Sequence, residues 1–352
     1  QALPETERTG FSAAVTKYRV EVKDQLSPAE QGETFQVPRL VSEIQGAFEF
    51  ADTDIFMEFH DWSLLNHSFK LGEVEFAIRE TARSFEIDLD GNRITYQFAD
   101  EAEQLALDVD VDGWTPEALV LWLDRQVRQQ DIHQSELLRW LRDLVGHLIT
   151  ARGMHIAALM RCKFILARKV REKLAAIRQQ ERDGVYQRYL FAPTAKVEVS
   201  FDQAFAFKDG MYWDQRRYRG RWKPRRHFLG PDQVPAFDGA ENGEEFQCAQ
   251  AIDSLPGVKF WIRNVARHPN SFWLPTATDK FYPDFVAQMN DGRLLIVEYK
   301  GAHIADGADT AEKRTIGQLW ESKSGGKGLF VVVEKSIDGK DMRTQMTEKI
   351  GA

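Results

Sequence analysis

The stretch FYPDFVAQMNDGRLLIVEYKG, residues 281–301, decides the fold that we expect for this chain. Apolar residues dominate on both sides of Asn-Asp-Gly at 290–292, a turn sequence that accepts the positive φ angles of a β-hairpin. Side chains alternate between the faces of a strand, so Glu298 and Lys300 share one face. Pairing of the two strands brings Asp284 to the same end as Glu298. The stretch therefore predicts two carboxylates and one ammonium group in an apolar setting.

Carboxylates that converge in such a setting need a cation to offset their repulsion. Paired carboxylate oxygens suit a hard divalent ion, Mg²⁺ or Mn²⁺, and a nearby lysine can position or deprotonate a water molecule for attack on phosphorus. The set of Asp284, Glu298 and Lys300 thus fits hydrolysis of a phosphodiester. The spacing itself is a loose pattern, and a surface hairpin with an ordinary cross-strand ion pair is the alternative.

The same three residues resemble the PD-(D/E)xK nuclease signature. A wider run resembles the carboxy-terminal endonuclease domain of type III restriction enzyme Res subunits: NGEEFQCAQAIDSLPGVKFWIRN, then FWLPT, FYPDF and VEYKG, from Asn242 to about Glu334. The resemblance implies an αβββαβ core. It also implies metal ligands at three positions, which are Asp284, Glu298 and the carbonyl oxygen of Tyr299, with Lys300 acting on the water.

In that fold a helix before the sheet supplies a further acidic residue. Glu244 and Glu245 open a segment with helical spacing of apolar residues. We select Glu245 as the fourth catalytic residue, because the packed residues Cys248, Ala249 and Ile252 follow it at spacings of three, four and seven. The alternative for either glutamate is a favourable charge in a first helical turn.

A Res subunit also implies an ATP-driven helicase motor, a DNA methyltransferase partner and a role in anti-phage restriction. Motor motifs are not evident in this sequence. GQLWESKS, residues 317–324, nearly fits a phosphate-binding loop, but Ser322 replaces its second glycine and the pattern is helical. ATP is therefore expected only if a motor precedes this chain, which begins with Gln in the manner of a fragment.

The length of 352 residues suits two or three domains, and we predict an α+β protein in three parts. Residues 1–110 form a β-rich accessory module, with strands and turns at 34–50, a strand at 69–78 and a strand pair at 84–98. Residues 111–240 form a helical region that opens with Thr115-Pro116, contains a long helix from about Gly153 to Arg182, and carries a basic aromatic hairpin. Residues 241–352 form the PD-(D/E)xK endonuclease domain, with a helix at 309–322 and a strand at 327–335.

Positive charge is concentrated in the middle of the chain. Residues 111–240 hold 23 Lys and Arg against 15 Asp and Glu, whereas residues 1–110 hold 9 against 23. The stretch Met211–Gly230 interleaves basic and aromatic residues, a mixture that suits phosphates and stacked bases of a nucleic acid. The predicted DNA-binding residues are Arg216, Arg217, Arg219, Arg221, Lys223, Arg225 and Arg226. The alternative is a hairpin about Gly220 whose aromatics pack while its arginines are solvated or pair with the acidic module.

The two cysteines, Cys162 and Cys248, lie in helix-like patterns, and no signal peptide or apolar span is evident, so we expect a cytoplasmic protein. The sequence thus predicts a metal-dependent endonuclease that acts on double-stranded DNA. The competing hypothesis is a catalytically inactive DNA-binding or scaffold segment of a defence complex.

Overall fold

The protein is described by a computed structural model, which covers residues 26–78, 114–239, 243–301 and 307–351, and the backbone of three strands between 86 and 107. It is a mixed α+β protein, as predicted. The described residues group into two compact units. We call Thr53–Pro193 the insert unit, because it interrupts the sheet unit, which comprises the residues up to Asp52 and those from Thr194 onward. The predicted boundaries at 110 and 240 stay predictions.

The described part of the sheet unit starts with an antiparallel pair, β1 (Phe35–Ile44) and β2 (Ala47–Phe50). The turn between them is Gln45-Gly46, with φ angles of 51° and 90°. Positive φ at both positions is what a tight two-residue hairpin turn requires. The strands and turns predicted over 34–50 are therefore confirmed.

The insert unit contains five α-helices, a 3₁₀ helix (Leu64–Asn66) and three strands among its described residues. The α-helices and strands are α1 (Thr53–Glu58), β3 (Glu86–Asp90), β4 (Arg93–Phe98), β5 (Glu101–Leu107), α2 (Pro116–Val127), α3 (Gln134–Thr150), α4 (Ile156–Arg161) and α5 (Lys163–Leu190). The predicted cap is confirmed, because the Thr115 hydroxyl accepts a hydrogen bond from the Ala118 amide at 3.1 Å. The prediction of a single long helix is wrong, because the helix is interrupted at Cys162 and continues as α5. Residues 69–78 form loop and turn instead of the predicted strand.

The pair predicted at 84–98 is confirmed as β3 and β4, which are antiparallel, and β5 completes a three-stranded meander. The helices surround a core of buried leucines and valines that also contains the buried Trp140. None of the helices in the part of the chain that the structure describes combines the length and hydropathy needed to cross a bilayer.

The sheet unit continues with twelve elements: β6 (Val197–Phe207), α6 (Glu244–Ser254), β7 (Val258–Arg263), β8 (Leu274–Pro275), β9 (Lys280–Phe281), β10 (Phe285–Met289), β11 (Leu294–Lys300), α7 (Ala308–Lys323), β12 (Gly328–Glu334), β13 (Ser336–Ile337), β14 (Lys340–Asp341) and α8 (Met342–Gly351). The predicted helix at 309–322 and strand at 327–335 are confirmed as α7 and β12.

A four-stranded sheet in the order β12-β11-β10-β7 forms the centre of this unit. β10 is antiparallel to both of its neighbours, and β11 is parallel to β12 through the crossover helix α7. When only the strands of this sheet are counted, the order from α6 is helix, three strands, helix and strand, because β8 and β9 form a separate two-stranded sheet. The predicted hairpin joins β10 to β11, closed by a hydrogen bond from the Met289 amide to the Arg293 carbonyl at 2.8 Å with Gly292 at φ 90°.

The two faces of this sheet are covered by different helices. Phe285 and Val297 point to the side of α6 and share a core with its apolar residues. On the opposite side, Gly317 of α7 lies directly against the Phe330 ring of β12, where a Cβ atom would be 2.4 Å from ring carbons. The indole nitrogen of Trp320 donates to the Pro38 carbonyl of β1 at 2.9 Å. Helix α7 therefore joins the central sheet to the second sheet of this unit, β2-β1-β6.

Candidate functional site

The structure brings Asp284 and Glu298 to one end of the central sheet. Phe285 pairs with Val297, so the next step of the antiparallel register places Asp284 opposite Glu298. Residues that lie opposite each other in this way share a face of the sheet, in this case the α7 side. Asp284 Oδ2 accepts a hydrogen bond from the Tyr299 amide at 2.6 Å, which fixes its carboxylate beside β11.

Burial leaves this carboxylate pair poorly solvated. Burial is the main cause that raises the pKa of Asp284 to about 7. Burial first, and then the charge of Asp284, raise the pKa of Glu298 well above its usual range. Glu298 Oε2 is buried and accepts no hydrogen bond from the residues that the structure describes. Two adjacent carboxyl groups, one with an unsatisfied oxygen, can bind a cation once they are ionised.

Helix α7 contributes a lysine that the sequence analysis missed. Lys313 Nζ lies 3.6 Å from Glu298 Oε1 and 3.1 Å from Asp309 Oδ2. Burial alone would lower the pKa of Lys313, but the charge of Glu298 and the contact with Asp309 raise it. A signal was present, because Lys313 precedes Ile316 and Trp320 by three and seven residues and so belongs to the buried face of its helix.

Lys300 lies at the same end of the sheet, on the face of Glu298. It pairs with Glu334 in the parallel register of β11 and β12, and its Nζ is 4.0 Å from Glu334 Oε1. Its side chain is only 11% exposed. Glu334 was not predicted; it places a third carboxylate next to the predicted catalytic lysine and restrains that lysine.

The glutamates that open α6 hold other parts of the site. Glu245 accepts hydrogen bonds from Arg263 Nε at 2.6 Å and from the Asp238 amide at 2.7 Å, so both of its oxygens are engaged. The charge of Glu245 also contributes to the raised pKa of Asp284. Glu244 accepts a hydrogen bond from the Tyr299 hydroxyl. These contacts suit Glu245 to holding Arg263 beside the carboxylates.

The donor set fits a hard divalent ion with few protein ligands. Among the residues that the structure describes, no three or more His, Cys, Asp or Glu side chains gather in a metal-holding arrangement. The protein ligands would be Asp284, Glu298 and the Tyr299 carbonyl, which faces β10 because the N–H and C=O of an extended residue point to the same neighbouring strand. Such a set leaves positions for water and phosphate oxygens, as Mg²⁺ prefers.

The basic stretch Met211–Gly230 is not the predicted hairpin. It runs through turns and bends, with isolated bridges from Arg217 to Pro235 and from His227 to Trp261. Its aromatic residues mostly pack inward: the rings of Tyr218 and Trp222 each lie 5.4 Å from the ring of Phe246 in α6. Packed rings of this kind cannot stack on bases. Trp213, whose side chain is 77% exposed, is the exception.

The cations of the same stretch point outward. The exposed members of the predicted set are Arg216, Arg217, Arg219, Arg221, Lys223 and Arg225. Arg226 is partly buried and donates to the Leu255 carbonyl. The backbone amides of Arg225 and Arg226 donate to the Asp253 carboxylate at 3.0 and 2.9 Å. Rings and backbone amides of the stretch therefore contact α6, while its arginines other than Arg226 remain exposed to solvent.

No protein-family model, curated protein or solved structure matches this chain.

Proposed function

We propose that the sheet unit is a metal-dependent endonuclease that hydrolyses phosphodiester bonds of DNA. One observation carries the proposal: Asp284 and Glu298 are desolvated side by side, and Glu298 Oε2 has no hydrogen-bond partner among the described residues. Ionising two desolvated carboxyl groups side by side is costly, and a divalent cation bound between them would offset that cost. The order of helix, three strands, helix and strand agrees with the αβββαβ core of the PD-(D/E)xK superfamily and so supports membership.

The residues have distinct roles in this proposal. Asp284, Glu298 and the Tyr299 carbonyl hold Mg²⁺ or Mn²⁺, which when bound polarises the phosphate and lowers the pKa of water. Lys300, restrained by Glu334 at 4.0 Å, orients the attacking water or takes its proton. Lys313, whose ammonium is 3.6 Å from the Glu298 carboxylate, opposes the rise in the pKa of Glu298 and so eases the loss of its proton when the cation binds. Glu245 positions Arg263.

Exposed arginines of Met211–Gly230 supply the contact with the DNA backbone. They lie along α6, the helix whose first turn carries Glu244 and Glu245, so one helix connects the basic surface to the site. Guanidinium groups in solvent bind phosphates without reading bases. Double-stranded DNA is therefore the proposed substrate, contacted mainly through its phosphates.

The wider biological role follows from the resemblance of residues 242–334 to Res subunits. We propose restriction of foreign DNA, with a helicase motor in cis that would use ATP and with a DNA methyltransferase partner. A catalytically inactive DNA-binding segment is the second candidate, because Lys313 and Lys300 already pair with Glu298 and Glu334 and could neutralise the site without a metal.

A cleavage assay separates these two functions. Supercoiled and linear DNA are incubated with the protein and Mg²⁺ or Mn²⁺, alongside Asp284→Asn and Lys300→Met, with Asp291→Asn as the matched exposed control. We expect cleavage to fall by about a hundredfold or more in the two site variants, as is usual when a catalytic group is removed, and to persist in the control. Equal cleavage by wild type and both site variants would reject the site assignment.

Binding is tested separately from cleavage. The double variant Arg219→Glu, Arg221→Glu should weaken DNA binding and reduce the slope of log affinity against log salt by roughly 0.9 for each phosphate that the variant no longer neutralises. The control is Lys323→Glu with Arg343→Glu, which makes the same charge change at exposed positions of α7 and α8. Equal affinity and equal slope for both double variants would assign the arginines to a merely solvated surface.

A further inference from the structure

A groove of about 630 Å³ opens on the second sheet of the sheet unit. Six of its lining residues carry its chemistry: Arg39, Phe50, Gln203, Phe205, Lys208 and Asn270. They come from β1, β2, β6 and the loops after β6 and β7. The volume lies within the roughly 300–1,000 Å³ of typical small-molecule sites. None of these residues has a role in the cleavage reaction proposed above.

An irregularity of β6 builds the groove. Val37 pairs with Phe205, but Arg39, only two residues later, pairs with Ser200. Residues 201–204 of β6 therefore face Pro38 alone and bulge out of the ladder. Bulges of this kind bend a strand and redirect side chains, and they are frequent next to functional sites.

Arg39 is held at the groove with its guanidinium unpaired. Its guanidinium carbon lies 4.9 Å from the ring centre of Phe50 and 5.3 Å from that of Phe205. Its side chain makes no hydrogen bond or ion pair with any residue that the structure describes, although it is half-buried. A partly desolvated guanidinium without an acceptor is a costly arrangement, and it favours an acceptor that arrives with a ligand.

The chemistry of the groove selects one kind of ligand. Rings hold the guanidinium in place while its N–H donors remain for an anion, and the planar fork of arginine matches the oxygens of a phosphate. Lys208 adds a second cation, and the amides of Gln203 and Asn270 offer donors and acceptors to the edge of a base. Asp209 also lines the groove and would accept from sugar hydroxyls. We propose that this groove binds the phosphate of a nucleotide, with Arg39 as its principal anchor.

A hydrogen-bonded frame links the wall of the groove to the candidate active site. Asn270 Nδ2 donates to the Met211 carbonyl at 3.5 Å, and the hydroxyls of Tyr212 and Ser271 are 2.9 Å apart. Asn264, 3.4 Å from the Tyr212 hydroxyl, donates from its side chain to the Pro283 carbonyl and from its backbone to the Asp284 carbonyl, both at 2.9 Å. The phosphate that the groove binds can belong to a DNA strand or to a free nucleotide, and the experiment distinguishes these two sources.

The test measures binding to the full chain without a divalent metal, so its result does not depend on cleavage. Two probes are titrated by calorimetry and fluorescence anisotropy: adenosine 5′-monophosphate and a labelled single-stranded 12-mer. For whichever probe the wild type binds, Arg39→Gln should lower the affinity by about tenfold or more, the usual effect of losing charge-assisted hydrogen bonds. The affinity of Arg39→Lys should lie between those of wild type and Arg39→Gln. Arg343→Gln, an exposed position on α8, is the matched control.

Binding of the mononucleotide identifies a free nucleotide as the source, whereas binding of the 12-mer alone identifies a DNA strand. Lys208→Gln changes an exposed side chain, so it should leave the core packing intact. It should lower the affinity for the same probe by about threefold. Unchanged binding in both Arg39→Gln and Lys208→Gln, or no binding of either probe by wild type, would overturn the proposal.

Discussion

Replacing Asp284 by Asn should stabilise the sheet unit at alkaline pH, although it abolishes the proposed activity. The folded pKa of about 7 lies well above the ordinary value of 3.8. The folded state therefore holds a proton on this carboxyl that the unfolded chain has already released. Stability must fall as the pH rises from about 4 towards 7 and then level off, because the folded protein has to ionise a buried carboxyl.

The size of this pH-dependent loss of stability follows from the same two pKa values. Each pKa unit corresponds to about 1.4 kcal/mol, so a shift of about 3 units costs the wild type up to about 4 kcal/mol at pH 8. Asparagine does not titrate, and its carbonyl oxygen can still accept the hydrogen bond from the Tyr299 amide. Loss of the Asp284 charge also removes the repulsion that helps to raise the pKa of Glu298.

The assay is urea unfolding followed by tryptophan fluorescence at pH 4 and pH 8. The free energy of unfolding of Asp284→Asn should exceed that of wild type by several kcal/mol at pH 8 and by little at pH 4. Added Mn²⁺ should then stabilise wild type more than the variant, since only wild type keeps both carboxylates. The control is Asp291→Asn. The contacts with Arg293 lower the pKa of Asp291, so loss of this carboxylate should decrease the free energy of unfolding at pH 8 instead of increasing it. A variant that is no more stable than wild type at pH 8 would refute the reasoning.

Three further results are expected. Lys313→Met should move the onset of Mn²⁺ binding, measured by calorimetry across a pH series, to higher pH, because loss of the ammonium raises the pKa of Glu298 further; an unchanged onset would contradict its role. Gly317→Ala should destabilise the protein by about 1–3 kcal/mol in urea unfolding, because a Cβ there meets the Phe330 ring at 2.4 Å. Gly184→Ala, in a helix with nothing within 4 Å of the added Cβ, should instead stabilise it by about 1 kcal/mol in the same measurement. If both alanine substitutions changed the free energy of unfolding by the same amount, helix propensity and not packing against Phe330 would determine the effect at Gly317.

Local patterns predicted much of the central sheet. The alternation of side chains along residues 294–300 and the turn at 290–292 determine both the hairpin and the face shared by Asp284 and Glu298. These features depend on neighbours along one strand pair, which the sequence displays directly. Lys313 was missed because its spacing to Ile316 and Trp320 shows only that it lies on the buried face of α7. No local pattern shows which strand residues that face meets after the crossover.

The basic stretch shows the opposite outcome. Its composition suggested aromatic stacking on bases, yet Tyr218 and Trp222 cover the apolar side of α6. Composition cannot distinguish a ring that packs from a ring that binds, because both need the same apolar surface. Likewise the pairing of Phe35 with Phe207, across the whole insert unit, has no sequence signature.

The interruption of the sheet unit has a consequence during synthesis. Strand β1 leaves the ribosome long before β6, since Phe35 pairs with Phe207, and at 5–20 residues per second the delay is roughly 10–35 s. For that time one long side of an apolar strand has no partner and could join the same strand of another nascent chain. Pro38 lacks an amide hydrogen and lies in the middle of the strand, so it interrupts such intermolecular pairing until translation delivers the proper neighbour.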